Sequence, residues 1–497
     1  MPKIINCSAR LRNFVKEFGE DIFSCDNAVL FCKVCGVKES AEKKYNIQQH
    51  IARGKHIQQL NIRNQQEKPK SQLLVTGMSM KSSFNEELCN VFLSTNIPLT
   101  KLNIPTFRDF LHKHTKQIFT DESTLRKNYI DQCYTNTIIK IRDYVRNKNV
   151  WVSIDETTDV EERYVANVII GTLEVDNPGK IFLLNSEVLE KANHSTISKL
   201  FDRSLFILWP EGILYDNVLL FVSDAAPYMV KSGKSLQVLY SKMVHITCLA
   251  HGLHRVAEQI RINFPEINSL ISNIKKVFLK APYRINLFKN LAPGIPLPPE
   301  LIIAPRWGTW LNAVNYYCEH FLHIKNVILQ LDSDDALAIK NAKKLVENPE
   351  IEKNLIYIKS NFGFLATEIT RLETSGMLLS ESVCYIEKVK QQIKQALGKT
   401  GETVTKKLDD VLNKNSGFKI LTIISNILKA EKVSREELPE DLTCDDLIHY
   451  KFAPITSVDV ERSFSKYKHI LSDRRRKFLF ENLKKILIVQ CNSDDID

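Results

Sequence analysis

Four side chains of the types that bind zinc lie near the start of the chain, in the spacing Cys32-x2-Cys35-x14-His50-x5-His56. Two thiolates on a tight turn and two imidazoles on a helix can complete the tetrahedral coordination that zinc prefers. Phe31 and Ile47 stand where a unit this small needs apolar filling, and the metal would supply much of its folding free energy. The spacing therefore predicts a zinc finger rather than four unrelated residues.

Two aspartates each follow an apolar run that is typical of a buried strand: Asp155 follows Trp151–Ile154, and Asp224 follows Leu220–Ser223. Carboxylates at the ends of adjacent strands can share a divalent ion, and two-metal phosphoryl-transfer enzymes place their first aspartate there. Either aspartate alone is better explained as a turn residue or a helix cap. The two together make a metal site a hypothesis worth testing.

A third carboxylate, Glu461, lies early in a helix that opens at Pro454-Ile-Thr-Ser457. Thr456 or Ser457 is a suitable N-cap, and Asp459 in the first turn complements the helix dipole. If this helix packs beside the sheet, Glu461 can reach a metal ion. A surface glutamate paired with a nearby arginine is the alternative.

The elements that must position these carboxylates alternate along the middle of the chain. Runs rich in Val and Ile predict strands and amphipathic periodicity predicts helices, in the order β-β-β-α-β-α-β. This order is that of an RNase H-like core without its last helix. The predicted ranges are 150–154, 164–175, 181–188, 194–209, 217–222, 226–240 and 243–247. From about residue 250 to about residue 430 the chain is almost entirely helix-like.

Composition and charge narrow the class of protein further. The chain has 497 residues, 44% of them hydrophobic, and a formal net charge of +10. Basic residues are concentrated at residues 1–70, with 13 Lys and Arg against 7 Asp and Glu, and at 461–480, with 7 against 2. Such stretches fit contact with phosphate backbones, or a solvated surface. The 11 cysteines without a signal peptide indicate a reducing compartment, and no apolar run is long enough to span a bilayer.

The C-terminal segment contains Thr-Ser-x-x-x-Glu461-Arg-Ser-Phe-Ser, followed by the runs 473–477 and 483–492. Together these motifs resemble the dimerisation region of hAT transposases. Cys248-Leu-Ala-His251 matches the C-x-x-H element of this family, and Arg306-Trp307-Gly-Thr309 matches its R-W-x-S/T element. The finger is similar to the BED-type fingers of transposases. In place of the asparagines that usually follow the second aspartate of the family, this chain has Ala225 and Tyr228.

The resemblance implies a nuclear, homo-oligomeric enzyme that cuts and rejoins double-stranded DNA. Asp155, Asp224 and Glu461 would form a D-D-E triad holding two Mg²⁺ or Mn²⁺ ions, with Cys248 and His251 as structural support. The finger, with its zinc, would bind the ends of the element. Stacking of Trp307, beside Arg306, on a flipped base is implied by the family. The basic run would contact phosphates or serve nuclear import, and consists of Arg474, Arg475, Arg476 and Lys477.

The fold class predicted from these observations is α/β plus α: an RNase H-like mixed sheet interrupted by a large all-helical insertion, with an N-terminal BED-like finger. The apolar residues of the last helix would pack in the C-terminal core or form a dimer interface (a dimer or a larger oligomer). The expected domains are the finger (1–62), a linker (63–81), a helical domain (82–145), the first part of the core (146–250), the insertion (251–450), and the last part of the core with the dimerisation region (451–497).

The finger is followed by the segments 84–99 and 105–114. Over about residues 15–135 these elements resemble the CGG triplet-repeat-binding proteins, which are small nuclear remnants of hAT transposases. Two alternatives to an active transposase therefore stay open. One is a domesticated, non-catalytic transcriptional regulator that retains the finger and the oligomer interface. The other is a structural or interaction protein that uses the core as a scaffold, against which the basic stretches and the zinc motif argue.

Overall fold

The computed structural model describes residues 7–26, 29–39, 43–67, 83–299, 307–471 and 479–493. Its N-terminal unit is small and has its own core, formed by Leu11, Phe23, Leu30, Cys32 and Ile47. Three short antiparallel strands lie beside three helices. In chain order these are α1 (Cys7–Phe18), β1 (Phe23–Asp26), β2 (Val29–Cys32), β3 (Val37–Glu39), α2 (Lys44–Ala52) and α3 (Gly54–Glu67).

The two predicted histidine ligands lie on different helices, whereas one helix was expected for both. The chain leaves the helical region at Arg53, whose ψ angle is 136°, so that α2 ends and α3 begins anew. His50 therefore lies in the last turn of α2 and His56 in the first turn of α3. Helix α3 continues to Glu67, inside the range expected to be a linker, and residues 68–82 lie outside the described residues.

The helical segment predicted for residues 82–145 forms four helices and a 3-10 turn at Leu99–Asn103. Asp121 begins one of these helices by accepting a hydrogen bond from the backbone of Thr124, which satisfies an otherwise unpaired N–H group. The helices are α4 (Ser83–Ser94), α5 (Pro105–Thr115), α6 (Glu122–Asn128) and α7 (Ile130–Val145).

A five-stranded mixed sheet forms the centre of the molecule, with the strand order β6-β5-β4-β7-β8. The first three strands pair antiparallel, and β4–β7 and β7–β8 pair parallel. All residues of β7 are buried, as expected for a strand covered on both faces. The predicted order of strands and helices is confirmed. The elements are β4 (Val150–Thr158), β5 (Tyr164–Thr172), β6 (Ile181–Leu189), α8 (His194–Leu208), β7 (Val218–Ser223), α9 (Pro227–Leu236) and β8 (Val244–Thr247).

Asp155 lies inside β4, and the prediction that the strand ends before it is wrong. Pairing with β5 continues from Asp155 opposite Asn167 to Thr158 opposite Tyr164. Pairing with β7 ends earlier, with Ser153 opposite Val222. Asp155 therefore lies two residues beyond Ser153, the last residue of β4 that pairs with β7, in a part of β4 that still pairs with β5.

Helices follow the sheet without a further strand in the described part of the chain. They pack on one another and on β8, and they share one apolar core with the sheet. They are α10 (Leu249–Asn263), α11 (Pro265–Phe278), α12 (Pro282–Leu291), α13 (Trp307–Gln330), α14 (Leu337–Glu347), α15 (Pro349–Phe362), α16 (Leu365–Leu372), α17 (Leu379–Lys394), α18 (Gly398–Asn413), α19 (Ser416–Leu428) and α20 (Cys444–Leu447).

The last two helices return to the sheet. Helix α21 (Val458–Ile470) packs on β4 and β5, and α22 (Phe480–Asn492) packs on β6, α4 and α7. The apolar residues of α22 are buried within the chain, which supports the predicted role in the core over a role in a dimer interface. They are Leu483, Ile486, Leu487, Ile488 and Val489. No helix among the described residues is long and apolar enough to cross a membrane.

A glycine of α19 allows that helix to lie directly against β8. A Cβ atom on Gly417 would lie 2.0 Å from the backbone oxygen of His245 and 2.8 Å from the Cα of Ile246. We expect Gly417→Ala to lower the free energy of unfolding by about 1–3 kcal/mol or more, because strand backbone cannot move aside as a side chain can. Urea unfolding measures this. Gly308→Ala is the control, because its Cβ meets only ordinary contacts at 3.9 Å; equal stability of the two variants would contradict the prediction.

Candidate functional site

The four cysteine and histidine ligands predicted from the spacing come together in the N-terminal unit. Their ligand atoms all lie within 4.8 Å of one another. The Nδ1 atom of His56 lies 3.2 Å from the Sγ of Cys35, 3.5 Å from the Sγ of Cys32 and 3.1 Å from the Nε2 of His50. Two sulfur and two nitrogen donors in a closed cluster are the ligand set of a structural zinc site.

Local structure explains how this cluster is assembled. Cys32 ends β2, and Cys35 lies in the turn to β3, where its backbone N–H donates to the Sγ of Cys32 over 3.4 Å. The two histidines are buried, and the Nδ1 of His50 lies 2.5 Å from a carboxylate oxygen of Glu39. A carboxylate at the second nitrogen orients the imidazole, so that its Nε2 faces the cluster. The role of Glu39 is not predictable from the sequence, because nothing in the spacing of the ligands identifies it.

The electrostatics of the cysteine pair favour a thiolate, which is the form that binds metal. Hydrogen bonds from the Cys35 thiol and from His50 lower the pKa of Cys32 to about 4 despite burial, whereas the hydrogen bond to Cys32 raises the pKa of Cys35, so the metal-free pair carries one thiolate. The donor chemistry of the cluster therefore fits zinc. In the part of the chain that the structure describes, no second set of three or more His, Cys, Asp or Glu side chains converges in this way.

A second group of polar side chains lies at the edge of the five-stranded sheet. Asp155 lies on β4 and Asp224 directly follows β7, and their Oδ1 atoms accept backbone hydrogen bonds from Glu156 (2.9 Å) and Ala226 (3.1 Å) respectively. Helices α10 and α21 bring His251 and Glu461 to the same region. The Nε2 atom of His251 lies 3.2 Å from a carboxylate oxygen of Glu461.

The pKa values at this edge show how strongly these groups interact. Burial raises the pKa of Asp155 to about 7, the charges of Glu156 and Asp224 add to this, and His251 opposes it. Burial lowers the pKa of His251, but Cys248, Glu461 and Asp155 outweigh burial and raise it to about 10. At neutral pH, His251 is therefore a cation paired with Glu461, and Asp155 carries only part of its charge.

The chemistry of these side chains fits a hard divalent cation. All candidate ligands are carboxylate oxygens, which suit Mg²⁺ and Mn²⁺. The Oε2 atom of Glu156 is buried without a hydrogen-bond partner, and burial together with the charges of Glu156 and Asp224 raises the pKa of Asp155, so this edge favours an added positive charge. However, Asp155, Asp224 and Glu461 do not form a convergent ligand group among the described residues. The triad therefore stays a prediction.

Two side chains at this edge were not singled out as site residues. The hydroxyl of Tyr228, in the first turn of α9, donates to the carboxylate of Glu156. Burial raises the pKa of Glu156, whereas this hydrogen bond lowers it. The adjacency of Glu156 to Asp155 is the one sequence signal that points to it. The hydroxyl of Tyr228 thus stabilises a buried carboxylate next to Asp155.

Cys248, directly before α10, connects this helix with β7 and α21 beside the edge. Its backbone N–H donates to the oxygen of Ser223 at the end of β7 (2.7 Å), and its sulfur accepts from the backbone N–H of Ser457 (3.2 Å). Ser457 occupies the N-cap position of α21, but the expected capping bond from its side chain is absent there. Cys248 receives the backbone N–H of this residue, so the start of α21 is attached to the sheet through sulfur.

The remaining predicted DNA contacts cannot be placed. Arg306 lies outside the described residues. So does the basic run of Arg474, Arg475, Arg476 and Lys477. Trp307 begins α13, and its side chain also lies outside the described part.

The raised pKa of Asp155 predicts that its charge destabilises the metal-free fold. The unfolded carboxyl has a pKa near 3.8. Because the folded value is higher, the contribution of this group to stability is complete below the unfolded pKa and is lost as the pH rises through about 7. In buffer without Mg²⁺ or Mn²⁺, we expect Asp155→Asn to be more stable than the wild type at mildly alkaline pH, by up to about 4 kcal/mol.

Thermal unfolding at acidic and alkaline pH measures this effect. The gain should disappear at acidic pH, where Asp155 is protonated in both states. Asp176→Asn serves as the control, because this exposed carboxylate lies in the turn between β5 and β6. If Asp155→Asn were no more stable than this control at alkaline pH, the raised pKa of Asp155 and the destabilising effect of its charge would be contradicted.

Comparison with known proteins relates parts of this chain to others. Residues 120–277 match the family described as "Domain of unknown function (DUF659)", a segment that contains Asp155, Asp224, Cys248 and His251 but neither the finger nor Glu461. The chain is 29% identical over 132 residues to CGG triplet repeat-binding protein 1 of Homo sapiens, an alignment that covers 24% of this chain and 78% of the relative. For the protein of the same name from Mus musculus the identity is 28% with the same coverage. The similarity to the triplet-repeat-binding proteins expected from the sequence is thus confirmed.

Proposed function

We propose that this chain is a nuclear, transposase-derived DNA-binding protein of the hAT type, in which a zinc finger binds double-stranded DNA and a D-D-E site cleaves and transfers DNA strands. The observation that carries this proposal is the sheet with its carboxylates. Three antiparallel strands followed by two parallel ones, in the order β6-β5-β4-β7-β8, are the arrangement expected of an RNase H-like core.

The positions of the acidic residues in this sheet support the catalytic part. Asp155 and Asp224 lie on adjacent parallel strands at the end where their pairing stops, and Glu461 comes from a helix that packs on β4 and β5. Along the chain, the helices α10 to α20 lie between β8 and α21, as expected for an insertion. Segments far apart in sequence are thereby brought to one edge of the sheet.

The chemistry follows from the residues at that edge. Bound there, Mg²⁺ or Mn²⁺ would activate the attacking oxygen and stabilise the leaving one. Asp155 and Asp224 would hold such ions, and Glu461 would complete the ligand set. Protonated His251 keeps Glu461 at the edge through their 3.2 Å contact. Tyr228 holds Glu156, and so keeps a fourth carboxylate beside Asp155.

The finger supports the DNA-binding part. Its four-ligand cluster gives a small, metal-stabilised unit of the kind that presents basic side chains to phosphates and helix residues to bases. The curated relatives are named for binding a CGG triplet repeat. We therefore propose double-stranded DNA as the partner of the finger and a G+C-rich repeat as the first sequence to test. We also propose a homo-oligomer, as the resemblance implies; an interface in its C-terminal region would use side chains other than the apolar ones of α22, which are buried within the chain.

A second function, a DNA-binding regulator without catalysis, is favoured by one observation. Glu461 is paired with His251, and the three predicted ligands do not converge on one point. If the positive charge of His251 takes the place of a metal ion beside Glu461, the protein would retain the fold without cleaving DNA.

Two assays on the zinc-loaded full chain separate these functions. Binding is measured by fluorescence anisotropy on a labelled CGG-repeat duplex and on a shuffled duplex of the same composition. Cleavage is measured as nicking of a supercoiled plasmid in Mn²⁺, which requires no knowledge of the target site. Metal-dependent nicking that Glu461→Gln abolishes would support the transposase. Binding without nicking would leave the regulator, and absence of both would contradict the proposal as a whole.

A further inference from the structure

Helix α21, which carries Glu461, is attached to the sheet by polar side chains that are buried. Asn167 of β5 donates from its Nδ2 to the Oγ of Ser463 over 2.7 Å. Its Oδ1 accepts from the hydroxyl of Ser186 on β6, also over 2.7 Å. All three side chains are buried. This first attachment fixes the middle of α21 against two strands.

A second attachment lies one helical turn further along α21. The hydroxyl of Tyr467 donates to the Oδ2 of Asp159 over 2.7 Å, at the tip of the β4–β5 hairpin. The guanidinium of Arg163 donates to the same oxygen from its Nε at 2.8 Å. The Oδ1 of Asp159 accepts the backbone N–H groups of Glu161 and Arg163. Although burial opposes it, these hydrogen bonds hold the pKa of Asp159 below its usual value.

These contacts are more than packing requires. Buried Val460, Phe464 and Ile470 already give α21 an apolar face, and the stabilisation from apolar burial is non-directional. Hydrogen bonds and a buried ion pair are directional, and leaving any partner unsatisfied costs free energy. Residues 463 and 467 are four apart, so both attachments lie on one side of the helix and together set its rotation and its height on the sheet.

We propose that Ser463 and Tyr467 are positioning residues, which hold α21 so that Glu461 lies at the edge occupied by His251 and Asp155. This inference rests on the proposed function, in which Glu461 helps to bind a divalent cation. Their hydrogen-bond partners are Asn167, which lies directly opposite Asp155 on β5, and Asp159, and neither of these is a predicted metal ligand. Their effect passes through the orientation of the helix, from the strands β5 and β6 on one side to the carboxylate of Glu461 on the other.

The experiment compares Tyr467→Phe with Tyr240→Phe in the zinc-loaded full chain. Tyr240 is a matched control, because it is equally buried and also donates to an aspartate, Asp202, over 2.8 Å, but it lies beyond α9 and not on α21. Mn²⁺ affinity is measured from the electron paramagnetic resonance signal of the free ion, with thermal unfolding and plasmid nicking alongside. Glu461→Gln gives the effect of losing the carboxylate itself.

We expect both tyrosine variants to lose similar thermal stability, and only Tyr467→Phe to bind Mn²⁺ more weakly, by about tenfold or more, as for outer partners of metal ligands. Ser463→Ala should act in the same direction, and it serves if Tyr467→Phe does not fold. If Glu461→Gln weakens Mn²⁺ binding but neither α21 variant does so beyond Tyr240→Phe, the inference is overturned and the proposed function stands. If Glu461→Gln binds Mn²⁺ like the wild type, both are overturned.

Discussion

Replacing Cys35 by serine is expected to unfold the finger and to reduce its DNA affinity by at least about 100-fold, while the main unfolding transition of the chain is retained. The finger core consists of five buried side chains and is separate from the large core of the sheet and helices. Two of the five belong to the cluster or adjoin it: Cys32 is a predicted ligand, and the Phe23 ring stacks on His56. So small a core does not stabilise the folded unit by itself, and bound zinc contributes about 10 kcal/mol or more of folding free energy in units of this kind.

The contacts between the finger and the sheet explain why the rest should survive. The Nζ of Lys55 lies 3.2 Å from the Oε2 of Glu161, and the Nζ of Lys38 lies 4.1 Å from the centre of the Tyr164 ring. The hydroxyl of Ser24 donates to the carboxylate of Glu190, a hydrogen bond of a kind that contributes at most about 3 kcal/mol. Both lysines are exposed, and exposed ion pairs contribute about 1 kcal/mol or less. Loss of these contacts therefore should not unfold the sheet.

Zinc content, hydrogen exchange and DNA anisotropy would be measured on Cys35→Ser and on Cys25→Ser. Cys25 lies on β1 of the same finger, partly buried but outside the ligand set, so its replacement should leave zinc and DNA binding in place. A global loss of thermal stability in Cys35→Ser would show that the finger is not an independent unit. Unchanged DNA affinity would remove the finger from the binding site.

Replacing Asp155 or Glu461 by alanine is expected to abolish DNA nicking, by about 1000-fold or more, with DNA affinity nearly unchanged. Metal ions contribute several kcal/mol to the stabilisation of a phosphoryl-transfer transition state, and each 1.36 kcal/mol corresponds to about a factor of ten in rate. The two residues lie at the sheet edge, whereas the proposed contacts with DNA ends come from the finger. Binding and cleavage should therefore separate.

Nicking of supercoiled plasmid in Mn²⁺ and anisotropy on duplex DNA would be measured for both variants. Asp176→Ala is the control, because this carboxylate lies in the β5–β6 turn, away from the end of β4 that carries Asp155. It should nick like the wild type. An equal loss of DNA affinity and nicking in the Asp155 and Glu461 variants would contradict a catalytic role, and would assign these residues to the structure of the DNA-binding surface instead.

Local patterns in the sequence were sufficient for the zinc ligands and for the order of elements in the sheet. A zinc cluster is specified by the types and spacing of a few residues, and its ligands do lie together. The strands were predictable because buried strands need long apolar runs, and the helices because they need a repeating apolar face. The two-helix arrangement of the histidines differs from the single helix expected, and the one residue type that signals the break is Gly54, which follows the change of backbone direction at Arg53.

Only the tertiary structure decided where the charges meet. Asp155 lies within β4 because β5 continues to pair with it after β7 has ended, which depends on the lengths of neighbouring strands. The contact between His251 and Glu461, like the pairing of Tyr467 with Asp159, joins residues distant in sequence, and so does the burial of α22 on β6. Local propensity acts over a few residues, whereas pKa values, ion pairs and buried faces depend on which segments pack together. The sequence alone therefore identified the candidate groups. The packing of α10 and α21 on the sheet determined which of these groups interact.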